Sequence, residues 1–421
     1  MALKQISASQ IELGMFIHSF RGSWLSHPFW RARFLVDEEK LQTLRESAVE
    51  AVVIDTTRGI DVIANDDARQ LSVPTPRSVR APTPRSLEAS PPDMRRAGPI
   101  GMARPAQITL AREFGNARRV AGEARKVISK VFIEARLGKA PRVAEVTPLV
   151  EDIHASIERN PHAFSGLMRC KSEMEAMYRH MLSVSALMVS LARQMRLSPQ
   201  ETRLAGMAGL LLDIGLSQIE IDAATGGAGT MDPGLWQRHC YVGRDLLAAA
   251  DDVPEEILHA VLRHHEQMDG AGFPQNLEGR HLDLFSRMAA ICDRFDHIVS
   301  GVFTGETADP AEAMRIMMQA ENAFDPEILA HFQEALGVYP VGSFVALRSG
   351  RIAMVVDQNP SDPDLPTVRT FHSAITDKPV AVKTIDLANC YGVDAINAVA
   401  DLAGLNLPPA SELRERLFTA R

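Results

Sequence analysis

Four cysteines in 421 residues (Cys170, Cys240, Cys292 and Cys390) are too widely spaced for a disulfide framework, and no CxxC pair is present. No apolar run reaches the roughly 20 residues that a membrane span requires. The N-terminus lacks the charged-then-apolar plan of a secretory signal. Basic charge is not in excess: 45 Lys and Arg against 53 Asp and Glu leave a net charge of −8. That balance argues against a general surface for DNA or RNA. A reducing, cytoplasmic setting fits these absences. A small anionic ligand is not excluded, because bound cations reverse the local field. The hydrophobic share of 46% is ordinary for a globular protein, and the length allows about three domains.

The chain divides by texture. Residues 1–65 alternate short apolar segments with turns: Ile11 to Ile17, then Phe34-Leu35-Val36, then Ala51 to Asp55, with a helical stretch from Asp37 to Ser47 between the last two. Residues 66–106 are rich in Pro, Arg and Ser and repeat PTPRS at 74–78 and 82–86. Such a segment buries too little apolar surface to offset ordering and reads as a linker. Leu110, Phe114, Ala117, Ala121, Ala124, Ile128, Val131 and Ala135 then recur at three- and four-residue steps, predicting a connecting helix over 107–148. Its apolar stripe faces its own domain or pairs across a homodimer. Helical patterns fill 149–336. After Gly337, Ser343 to Leu347 and Arg351 to Val356 flank Ser349-Gly350 as a hairpin, with a further strand at Val368 to Phe371.

The richest stretch is His264-His265-Glu266, followed by Asp269-Gly270 and Gly272-Phe273-Pro274. It gathers groups that bind metals or move protons, then turns sharply on glycines and a proline. Imidazole suits iron, zinc, manganese or nickel, and adjoining carboxylates bridge or tune such ions. His180, Asp213 and Asp293 occur on apolar helical patterns elsewhere. Singly, each has an ordinary alternative: His180 as an interface histidine, Asp213 as a helix end before Gly215, His239 as a turn cap, Asp293 as an ion-pair partner. Buried free cysteines such as Cys240 and Cys292 usually act as small hydrophobes. His259 lies near the signature on its helix. His281, His297, His331 and His372 match no ligand position.

The run HHEQMDGAGFP resembles the signature of HD-GYP proteins, a bacterial branch of the HD metal-dependent phosphohydrolases. Tyr178-Arg179-His180, AGLLLDIG at 208–215, RHCYVGRDLL at 238–247 and MAAICDRFD at 288–296 follow in the family's order. The resemblance covers roughly residues 150–340 and implies a multidomain, mainly α protein. An all-α HD-GYP core is expected at 149–336, with a small α+β accessory domain before it and a short β appendage at 337–421. Ser23-Trp24 and His27-Pro28-Phe29 resemble a turn of that accessory domain. The implied activity is hydrolysis of cyclic di-GMP to pGpG or GMP, with one or two divalent transition metals (Fe, Mn, Ni or Zn). A diguanylate cyclase or another signalling protein is the implied partner. By resemblance, His180, Asp213 and Asp293 hold one ion, and Asp213, His239, His264 and His265 the other. Asp213, His265 and Asp269 take catalytic roles, and Gly270, Gly272, Phe273 and Pro274 contact substrate.

The chain also departs from that pattern. The namesake His-Asp pair is Leu212-Asp213, so one donor is missing. Leu216 stands where the family has lysine, and Phe273 replaces the tyrosine of the Gly-Tyr-Pro element. Ser300-Gly301-Val302-Phe303-Thr304 replaces an Arg-Pro-Tyr element, and Ala176 removes the glutamate of a three-metal site. Losing a metal ligand is expected to cost at least about 10- to 100-fold, and losing phosphate clamps weakens positioning and charge stabilisation. Reduced activity is expected, the alternative being a module that binds cyclic di-GMP or a partner protein without turnover. Leu212→His is expected to restore turnover.

Overall fold

The computed structural model describes residues 3–7, 10–21, 34–36, 41–42, 51–56, 58–60, 110–170, 176–219, 233–250, 252–320, 322–359, 362–390 and 394–420. The linker, the PTPRS repeats, the turn at 23–29 and most of the helical stretch at 37–47 lie outside them. The chain forms two compact units, Met1–Gly101 and Met102–Arg421. Among the described residues no helix is long and apolar enough to cross a membrane.

The first unit is a four-stranded antiparallel sheet of β1 (Leu3–Ser7), β2 (Phe16–Arg21), β3 (Phe34–Leu35) and β4 (Ala51–Asp55), in the order β1-β4-β2-β3. Alternation puts one face inward. Ile6, Ile17, Val52 and Ile54 join Ile11, Met15 and Val36 in a small core of its own.

The second unit is built on helices. In order they are α1 (Leu110–Arg136), α2 (Val143–Arg159), α3 (Ala163–Met168), α4 (Ala176–Gln194) and α5 (Pro199–Leu211). There follow α6 (Pro233–Ala248), α7 (Glu255–Arg263), α8 (Leu284–Ser300), α9 (Pro310–Gln319) and α10 (Pro326–Leu336). Capping chemistry explains several starts. Ser198 and Glu201 form a reciprocal capping box at α5, with proline in its first turn. Asp283, Asp309 and Asp325 cap α8, α9 and α10 through backbone N–H groups.

A five-stranded antiparallel sheet follows, of β5 (Phe344–Leu347), β6 (Arg351–Asp357), β7 (Thr367–Ser373), β8 (Lys378–Asp386) and β9 (Ile396–Val399), ordered β8-β7-β6-β5-β9. The chain closes with α11 (Ala410–Thr419). The sequence divides this stretch at 148 and 336, but the structure runs one core across both positions, from Phe114 through the helices to Phe344 and Phe418. The stripe of α1 is buried there, making α1 the first helix of the core rather than a connector. Glu113 on α1 is fully buried and accepts two hydrogen bonds from Arg159, at 2.8 and 2.9 Å, and one from Ser156 at 2.8 Å. At the far end α11 lies back on α1, with Phe114 stacked on Phe418 at 5.1 Å and Arg118 paired with Glu415 at 2.7 Å. The sheet is fastened by Arg414, which donates to the Gly342 carbonyl at 2.8 Å and lies over the Phe344 ring.

Candidate metal centre

Four helices and two turns converge on one polar interior. His180 sits in the first turns of α4. Asp213 follows the end of α5 and opens a short 3-10 turn, Ile214–Gln218. Gly215 sets its depth: a methyl group there would lie 2.1 Å from the His239 carbonyl and 2.6 Å from the Gly243 nitrogen. Only glycine lets this turn press against α6, which carries His239. His264 and His265 leave the end of α7. Asp293, Asp296 and His297 share one face of α8 at helical spacing.

The donors fall into two groups among the described residues, each with ligand atoms within 4.8 Å of one another: His239, Cys240, His264 and His265, and His180, Asp213, Asp293 and His297. Asp213 touches both. Its Oδ2 is 3.1 Å from His180 Nε2, and its Oδ1 is 3.4 Å from His239 Nε2 and 3.8 Å from His264 Nε2. Neither Asp213 oxygen is aligned as a hydrogen-bond acceptor, although the residue is 1% exposed.

Two imidazoles of the histidine-rich group are held as single tautomers by backbone carbonyls. His264 Nδ1 donates to the Val261 carbonyl at 2.9 Å, and His239 Nδ1 to the Trp236 carbonyl. Their Nε2 atoms therefore present lone pairs to each other at 3.2 Å. Burial first, then the neighbouring His239, pushes His264 down to about 4, and burial also lowers His239. Burial and the adjacent imidazoles hold His265 well below the usual range, and its Nε2 has no partner. Converging lone pairs with no proton between them are a donor set for a cation.

The second group holds excess carboxylate. His180 Nδ1 donates to Asp296 at 2.7 Å, and Asp296 also accepts from Ser183. His180 Nε2 lies 3.1 Å from both Asp213 and Asp293. One N–H shared between two carboxylates makes a split, weakened contact with each, whereas a divalent ion could be held by both. Burial alone would lower His180, but Asp213, Asp293 and Asp296 hold it well above the usual range. Burial raises Asp293 to about 6, with Asp213 and Asp296 adding to the rise. His180 and the other imidazoles hold Asp213 below its ordinary value against the effect of burial. Carboxylates crowded on one imidazole here, beside the neutral imidazoles of the first group, fit a divalent transition metal.

The signature loop is held from within. Glu266 is buried and accepts from Gln275 N at 2.6 Å and Leu277 N at 2.9 Å, so it clamps the loop rather than joining the donors. Gly270 has φ +77°, and a methyl group on Gly272 would lie 2.3 Å from the Gln267 nitrogen. Phe273 donates its N–H to the His265 carbonyl at 3.1 Å and packs its ring on that imidazole at 4.5 Å. The Phe273–Pro274 peptide is cis, and the Pro274 carbonyl accepts from Tyr241 at 3.5 Å. Phe273 and His265 line a cavity of about 420 Å³, together with Trp236, Asp293, Arg294 and His297.

Of the residues named from sequence, His180, Asp213, His239, His264, His265 and Asp293 are brought together. Asp269 is not: it is exposed, and its carboxylate accepts from Ala271 N at 2.9 Å, turning the loop. Leu212 and Leu216 are 1% and 4% exposed, Leu212 within the hydrophobic core, and neither lines the cavity. His259, His281, His331 and His372 belong to neither donor group. His297, which matched no ligand position, is a correction: it lies inside the second group. Its signal was the four-residue step from Asp293. Trp236 and Phe303 were also missed. Their rings meet at 4.6 Å over the site, and Phe303 meets His180 edge-on at 5.8 Å.

Residues 165–328 match the family described as HD domain. Residues 3–146 match a domain of unknown function (DUF3391), which runs through α1 into the helical unit. Over 401 residues the chain is 36% identical to the cyclic di-GMP phosphodiesterase PA4108 of Pseudomonas aeruginosa, spanning 94% of this chain and 91% of that protein. It is 32% identical over 140 residues to the cyclic di-GMP phosphodiesterase response regulator RpfG of Xanthomonas campestris, covering 32% of this chain and 37% of that one. A solved structure of the HD-GYP-type protein Bd1817 from Bdellovibrio bacteriovorus aligns with 80% of this chain and 99% of its own, at 15% identity and a TM-score of 0.45. The chain belongs to the HD-GYP family and is a phosphodiesterase of the metal-dependent HD-domain class.

Proposed function

We propose that this protein hydrolyses cyclic di-GMP to the linear dinucleotide pGpG and onward to GMP. His180, Asp213 and Asp293 would hold one divalent ion, and Asp213, His239, His264 and His265 a second. Paired ions of this kind supply a hydroxide nucleophile at neutral pH and charge for both oxygens of an in-line displacement. In the reaction a water oxygen bonds to phosphorus, the P–O3′ bond breaks, and the freed 3′-oxygen takes a proton.

The chain's own groups prepare that step. The carbonyls of Trp236 and Val261 keep the Nε2 lone pairs of His239 and His264 turned inward. Phe273 offers a ring face on the cavity wall against which a base can stack, without the hydroxyl of tyrosine. Gly270 and Gly272 keep the loop narrow, and Asp269 shapes its turn. Arg294, also on the wall, is positioned to meet a phosphate. Leu216 brings no charge to the site, so turnover is expected to be modest.

The observation that carries this reading is the pair of Nε2 lone pairs 3.2 Å apart beside a buried carboxylate that makes no aligned hydrogen bond. The test is product chromatography of cyclic di-GMP incubated with metal-loaded protein, alongside elemental analysis. Appearance of pGpG or GMP supports it. Burial of Leu216, where the resemblance expects a lysine, favours a second reading as a binding module. Tight binding with no product from fully loaded protein would establish that reading instead.

A further inference from the structure

The carboxylate-rich group contains a donor that neither the signature nor the Leu212-Asp213 pair supplies. His297 lies one helical turn beyond Asp293 on α8, so the two side chains share a face. Its Nε2 is 3.3 Å from Asp293 Oδ1, yet it is not aligned for a hydrogen bond and has no other partner. The ring stacks on His180 at 4.7 Å and 29°, and Phe303 closes over it edge-on at 4.7 Å and 86°.

Packing alone does not require a nitrogen there, since a phenyl ring would stack on His180 and meet Phe303 equally well. A buried polar atom left unpaired costs stability unless something else takes up its lone pair. The ligand atoms of His180, Asp213, Asp293 and His297 all lie within 4.8 Å of one another. Leu212, by contrast, is 1% exposed in the hydrophobic core.

We infer that His297 is a ligand of the ion in this group, a nitrogen donor carried on α8 in place of the histidine missing beside Asp213. The inference rests on the two-metal reading above. It completes a set of two imidazole nitrogens and two carboxylate oxygens, suited to zinc, iron or manganese. It also removes the reason to expect a gain from Leu212→His: the site already has its second nitrogen, and an imidazole at 212 would enter an apolar core.

The test titrates metal-free full-length protein with Mn²⁺ alone, reading stoichiometry by elemental analysis and affinity by calorimetry. His297→Phe keeps the ring stack and removes the donor. Wild type should bind two ions and His297→Phe one, with the lost site weakened at least about 10-fold, while Leu212→His alone changes neither number. Two ions at wild-type affinity in His297→Phe would overturn the inference and leave the phosphodiesterase reading standing. No metal uptake by wild type would remove both. Should His297→Phe fail to fold, Co²⁺-loaded wild type with labelled histidines decides. Five strongly shifted imidazoles support the inference, and four, with His297 unshifted, overturn it.

Discussion

The two donor groups are supported in different ways. In the histidine-rich group the supports of His239 and His264 are main-chain carbonyls, of Trp236 and Val261. In the carboxylate-rich group His180 is oriented by a side chain, Asp296, itself held by Ser183. A carbonyl survives any substitution of its own residue, whereas a side-chain support does not. The first group is therefore robust to mutation around it and the second is fragile, although both depend on Asp213.

That dependence gives the largest expected effect. Asp213→Ala should abolish binding of both ions and lower turnover of cyclic di-GMP by at least about 100-fold, as read by elemental analysis and product chromatography. Retention of either ion at full occupancy would dissolve the shared-ligand picture. Next, His264→Ala and His180→Ala should each cost one ion, from opposite groups, with a loss of about 10- to 100-fold in the affinity of that site. His331→Ala, remote from both groups, serves as the unchanged control.

The contrast in supports is sharpened by a milder pair. Asp296→Asn should weaken metal at the carboxylate-rich group alone, by about 10-fold. Trp236→Ala should leave metal binding nearly unchanged, because the carbonyl that orients His239 remains. Equal losses in the two variants, measured by Mn²⁺ calorimetry, would erase the distinction.

The smallest effect concerns acid. In metal-free protein the Asp293 carboxyl keeps its proton up to about pH 6, above its ordinary 3.8. Its contribution to stability is therefore present at low pH and lost as pH rises through about 6. His264 has the opposite sign: its folded value of about 4 lies below the ordinary 6.5. Its contribution is present above 6.5 and lost as pH falls toward about 4. Carbon NMR of the carboxyl and the imidazole should give these separate midpoints. A carboxyl midpoint for Asp293 near its ordinary value would mean that burial and its neighbours do not hold the proton.

The division between legible and illegible follows from what a residue's identity determines. The signature from His264 to Pro274 and the separated His and Asp positions stand out because their chemistry is unusual on apolar helices. The role of Glu266 was hidden, since its partners are backbone N–H groups nine and eleven residues later. His297 was hidden because Arg294, exposed beside it, makes that part of α8 read as a solvent face. Of the C-terminal sheet, β5 to β7 were visible as apolar runs. Strand β8 was not, because it is an edge strand whose residues are almost all exposed or half-exposed and show no buried alternation. The stripe of α1 was plain, but its owner was not, because periodicity does not say which core a helix faces.

The contact between α1 and α11 has a consequence for how the chain is made. Arg118 and Glu415 are 297 residues apart, and Phe418 covers Phe114 from the last turns of the chain. At synthesis rates of about 5–20 residues per second, the Phe114 surface waits on the order of 15–60 s for its cover. Through that interval an aromatic face on an early helix stays open to chaperones or to neighbouring nascent chains, and it closes only once Phe418 has left the ribosome.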